Sequence, residues 1–162
     1  MEQVPKQLKT GFNMIESNTM DEQENEMLLT VVSTMSILME KAIESAELYT
    51  KHANREIILG NDIIIALQFQ AHVFFNLPGV KEDCLALKEE MRNELEEESE
   101  DESDYESDDE SDADECWTKS ECECGRCKAM NKFHEEWDLW QPTDEFQCSI
   151  KRAIDKAISE YS

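Results

Sequence analysis

Between Glu24 and Asn54 apolar side chains return every three or four residues, at Leu28, Val31, Val32, Met35, Leu38, Met39, Ala42, Ile43, Ala46 and Tyr49, and neither proline nor glycine interrupts them. That spacing lines one side of a helix, and at 1.5 Å per residue the helix is about 45 Å long. Short neighbours in the same chain leave part of such a stripe uncovered, and exposed apolar surface of that extent marks a partner interface. Leu28, Val31, Val32, Met35, Leu38, Met39, Ile43 and Tyr49 are the expected interface of an obligate dimer. Burial at about 25 cal/mol per Å² outweighs any surface ion pair in holding it.

The elements around this helix are shorter. Upstream, Pro5 sits where a helix can begin without losing a needed hydrogen bond, and Leu8, Phe12 and Ile15 follow at helical spacing. Downstream, the β-branched patch from Arg55 to Leu59 is too short for a free-standing sheet. Gly60 and Asn61 then open a second apolar pattern of Ile63, Ile64, Leu67, Ala71 and Phe74. Pro78 and Gly79 break the chain before an amphipathic run of Cys84, Leu87, Met91 and Leu95. The expected class is all-α: short helix, long helix, short helix and an extra helix over residues 1–95.

Charge separates this core from the rest. Of the net −24, residues 96–115 supply −14, with 14 carboxylates and no Lys or Arg. This segment repeats serine every four residues, at Ser99, Ser103, Ser107 and Ser111, each with an acidic residue three positions on. With no aliphatic side chain larger than alanine it cannot bury enough to offset its ordering entropy, so it reads as a disordered linker. It serves either as a solvated spacer or as a docking strip for histones or another basic partner, which phosphorylation of those serines would make more acidic. An acidic chain is handicapped as a lone DNA-packaging protein, because non-specific affinity comes from Lys and Arg neutralising phosphates. A basic partner or a local basic patch is required.

The stretch from Tyr49 to Gln68 resembles the end of the long helix, the second loop and the third helix of core histone four, and is similar to archaeal histones. Tyr49, Thr50, His52, Ala53, Arg55, Asp62, Ala66 and Leu67 fall on matching positions without a gap, and Glu40, Ile43 and Ala46 continue the register upstream. The resemblance implies a histone fold, which assembles as handshake pairs with a homo- or heterotypic partner; the acidity favours a heterodimer that reaches DNA through the pair. It implies an internal clamp between Arg55 and Asp62, and offers Lys6, Lys9, Lys51 and Arg55 as phosphate contacts. Asn54 and Glu56 replace the basic neighbours of that arginine, and Leu59 replaces the threonine that caps the third helix, so the DNA loop is weakened while packing positions are kept. The mixture would suit a viral histone-like protein in a nucleus or another DNA-containing compartment.

Residues 116–162 form a cysteine-rich appendix that the resemblance does not reach. Cys116, Cys122, Cys124 and Cys127 crowd into twelve residues, with His134 seven beyond. Zinc takes four N or S ligands in a tetrahedron, and a Cys-x2-Cys turn presents two thiolates at once. Cys124 and Cys127 are the expected pair, Cys122 the third ligand, and Cys116, His134 or distant Cys148 the fourth. The C-x5-C-x-C-x2-C spacing is not a common finger pattern, so free or redox-active thiols and disulfides stay open beside a structural zinc. Phe133, Trp137 and Trp140 precede Pro142 and a final helix carrying Phe146, Ile150, Ala153, Ile154, Ala157 and Ile158. These either close a mini-core of their own or dock onto the core. No catalytic constellation is evident, and His52 and His72 read as packing histidines. No run approaches the roughly 20 apolar residues that span a bilayer, and the start lacks a signal-peptide core, so neither membrane insertion nor secretion is expected.

Overall fold

The computed structural model describes residues 12–96 and 116–161, and among them every regular element is helical. Lys6, Lys9, Pro5, Leu8 and most of the acidic linker lie outside the described residues. Helix α1 spans Phe12–His52, α2 Gly60–Val73, α3 Val80–Glu96, α4 Gly125–Glu135 and α5 Glu145–Tyr161. Short 3-10 turns follow α2, at Phe74–Asn76, and α4, at Trp137–Leu139.

The break expected between a short first helix and a long second one is absent, because α1 runs unbroken for 41 residues. The stretch from Ser17 to Asn25 holds no proline or glycine, and its residues cost a helix only a fraction of a kcal/mol each relative to alanine. The other end of α1 is sharply defined. Asn54 adopts the left-handed conformation (φ 56°), the Arg55 N–H donates to the Thr50 carbonyl and the Asn54 N–H to the Lys51 carbonyl, each at 3.1 Å. These two bonds are a Schellman termination with asparagine in the place usually held by glycine. Helix α2 then starts at Gly60, with the Asp62 carboxylate accepting the Leu59 N–H at 2.8 Å. Leucine has no side-chain acceptor, so only this half of a capping box exists. Gly79, at φ 84°, supplies the turn into α3.

The core lies where α2 meets α1 on one side and α4 and α5 on the other. One cluster joins Ile37, Leu38, Ala71, Phe74 and Val80 to Trp137, Ile150 and Ile154. A second joins Ala42, Ala46, Tyr49, Ile65 and Ala66 to Cys127 and Met130. The residues after the linker therefore complete the same core instead of closing on themselves. On α5 the buried face repeats every fourth residue through Phe146, Ile150, Ile154 and Ile158. Buried Gln70 ties α2 to α1 by donating to the Lys41 carbonyl (3.2 Å) and the Ser45 hydroxyl (3.0 Å). Helix α3 lies along α1, where Glu26 pairs with Lys88 and Arg92.

The expected dimer stripe divides in two. Leu38 and Tyr49 are buried within this chain, at 1% and 0% exposure, because α2, α4 and α5 cover that side of α1. Leu28, Val31, Val32, Met39 and Ile43 are exposed and Met35 half-buried.

Candidate metal centre

Three of the four clustered cysteines converge on the end of α1. Cys127 lies in the first turn of α4 and is fully buried; Cys124 is the N-cap of that helix, and its Sγ accepts the Cys127 N–H at 3.4 Å. The Cys-x2-Cys pair is thus presented by a helix N-terminus, with Gly125 as the first helical residue instead of the pivot of a bend. Cys122 approaches from the irregular segment leading into α4. The fourth group is His52, the last residue of α1, whose Nδ1 lies 3.2 Å from Cys127 Sγ and 3.5 Å from Cys124 Sγ. The ligand atoms of His52, Cys122, Cys124 and Cys127 all lie within 4.8 Å of one another, a set that can hold a metal ion such as zinc.

Cys116 is exposed and outside this group. His134 lies two turns, about 10 Å, farther along α4 than Cys127, and its Nδ1 is 2.7 Å from the Gln68 side-chain oxygen. Cys148 is on α5, where its thiol meets the Pro142 carbonyl. His52 was missed because nothing local marks it, since 75 positions separate it from Cys127 and its neighbours read as ordinary helix.

The thiols are electrostatically unequal. The backbone N–H of Cys127, then its thiol, lower the Cys124 thiol to about 6, while burial pushes Cys127 up to about 12.

The cysteine-bearing segment is seated on the end of α1 and the start of α2 by hydrogen bonds independent of the thiols. The Tyr49 hydroxyl donates to Asn131 Oδ1 (2.6 Å) and accepts the Ser120 N–H (3.1 Å), while Asn131 Nδ2 donates to the Ser120 carbonyl (3.0 Å). Beside this ring, Arg55 grips Asp62 with two bonds of 2.7 and 2.5 Å, and the Trp117 indole donates to the same carboxylate at 3.0 Å. Burial acts to raise the Asp62 carboxyl, but Arg55, the Leu59 N–H and Trp117 together hold it below the usual carboxylate range. Arg55 also reaches the Thr118 carbonyl at 3.4 Å. The expected Arg55–Asp62 pairing is therefore present, with its guanidinium turned inward. Lys51 is exposed and pairs with Glu47.

No family model, curated protein or solved structure matches this chain.

Proposed function

We propose that this protein is a histone-like pairing module that works beside DNA, taking an amphipathic helix of a basic partner onto the exposed stripe of α1. The observation that carries this reading is the face formed by Val31, Val32, Met35, Met39 and Ile43, an open apolar groove bordered by Glu40, Glu44 and Glu47. The border argues for the partner's chemistry. A second copy would set these glutamates, in a chain of net charge −24, against their like, whereas a partner helix with Lys or Arg beside its apolar face would pair with them. DNA then meets the partner's charges more than this chain's own.

Mixing the full chain with a basic histone-fold protein should give a stable complex by native mass measurement, and that complex should bind DNA with affinity falling as salt rises. Val32→Glu and Met39→Glu should each weaken pairing about 10–100-fold, the equivalent of about 1.5–3 kcal/mol of apolar burial per side chain. Pairing unaffected by both substitutions would remove this face from the interface.

A second reading, a histone-binding module that shields basic surface, draws support from Arg55. Its guanidinium is buried against Asp62 and covered by the segment carrying Trp117 and Thr118, which leaves the second loop little to offer a phosphate. Under this reading the protein strips a histone from DNA, and deleting residues 96–115 abolishes the stripping. If the pair stays on DNA and the deletion changes nothing, the first reading stands.

A further inference from the structure

We propose that His52, Cys122, Cys124 and Cys127 form a closed structural zinc site that fastens the cysteine-bearing segment and α4 to the end of α1.

The four donors come from parts of the chain separated by an acidic segment, yet they meet at one point. A tetrahedral zinc with Zn–S of about 2.3 Å and Zn–N of about 2.0–2.1 Å has ligand-to-ligand edges of about 3.6–3.8 Å. The Nδ1–Sγ separations of 3.2 and 3.5 Å, and the 4.8 Å limit on the whole set, lie around those edges. Small rotations of the side chains complete the tetrahedron.

The donor chemistry selects the metal. Three thiolates and an imidazole suit zinc and exclude calcium or magnesium, which take oxygen. Four protein ligands leave no open position for water, so the site is structural and not hydrolytic. On binding, the three cysteines ligate as thiolates, whichever of them is still protonated releasing its proton to solvent, and the imidazole binds as the neutral ring. The Cys127 N–H on Cys124 Sγ is the kind of outer-sphere bond that orients a thiolate ligand.

The metal's contribution follows from the distance it bridges along the chain. Closing a loop of more than 70 residues is entropically costly for hydrogen bonds alone, and a metal clip imposes that closure. Zinc at His52 thereby secures the ring of Tyr49, Ser120 and Asn131 and the seat of Trp117 on Asp62. This inference is independent of what α1 pairs with.

The test uses the full chain, prepared under reducing conditions, stripped with a chelator and titrated with Co²⁺ and then Zn²⁺. One Co²⁺ per chain should bind with the visible bands of a tetrahedral site and a charge-transfer band of three thiolates, and Zn²⁺ should displace it. Cys116→Ser and His134→Ala should leave stoichiometry and spectrum unchanged. His52→Ala should lose more affinity than the roughly 10–100-fold typical of losing an outer-sphere partner. His52→Cys, which keeps four ligands, should restore binding and raise the thiolate band by about a third. The proposal is overturned if the wild-type chain takes up no stoichiometric metal. It is equally overturned if Cys116→Ser abolishes binding while His52→Cys leaves the thiolate band unchanged, which would place the ion on the four clustered cysteines alone.

Discussion

Asp62 ties together the loop after α1, the start of α2 and the segment before α4. Its two oxygens accept from Arg55 twice, from the Leu59 N–H and from the Trp117 indole, and its side chain is fully buried. Removing the charge strands a buried guanidinium, so Asp62→Asn should cost about 3–5 kcal/mol in urea denaturation at pH 7. A loss below about 1 kcal/mol would mean that the pair contributes nothing net. The pH dependence has a definite sign. A carboxyl held low in the folded state stabilises above its unfolded value of about 3.9 and loses that contribution as pH falls through the folded value. Asp62→Asn should therefore flatten the acid limb of the stability profile. The Arg55–Asp62 pairing was anticipated only through the resemblance of Tyr49 to Gln68 to the histone pattern, because charge and spacing alone do not pair a loop arginine with a residue in the first turn of α2. Tyr49 was misplaced because periodicity gives the side of the helix and not its occupant, and its hydroxyl serves Asn131 and Ser120 of this same chain.

At the scale of elements, helix ends were more readable than helix contacts. Gly60 and the Pro78–Gly79 break lie where turn chemistry put them. The start of α1 did not, since a polar run without proline or glycine carries no stop signal. Asn54 had looked like a lost basic residue in a DNA loop, and its conformation supplies another reason for its presence. The left-handed region disfavours most side chains by about 1–2 kcal/mol and β-branched ones most of all. Asn54→Val should destabilise by about that amount, whereas Asn54→Gly should be neutral or slightly stabilising. Equal midpoints for the two variants in thermal unfolding would deny the role of this cap. For α5, the four-residue repeat showed which face is buried but not against what, so a separate mini-core was the leading expectation and docking, which the packing shows, the alternative.

For the whole molecule, packing joins what composition divides. Trp137, Ile150 and Ile154 share a cluster with Leu38 and Phe74, and Met130 shares one with Tyr49 and Ile65, so the first half of the chain lacks part of its core when alone. A chain ending at residue 115 should lose cooperative thermal unfolding and bind a hydrophobic dye, the behaviour of a collapsed but unpacked state. A sharp transition at the full-length midpoint would show the first half to be self-sufficient. The same geometry bears on how the sequence can drift. Within the eleven residues from His52 to Asp62, one faces the thiols, one ends a helix, two form the buried ion pair and one begins the next helix. Random mutation is filtered hardest where roles overlap, so this short connection is expected to change slowest over generations while the solvent faces of α3 and α5 wander freely.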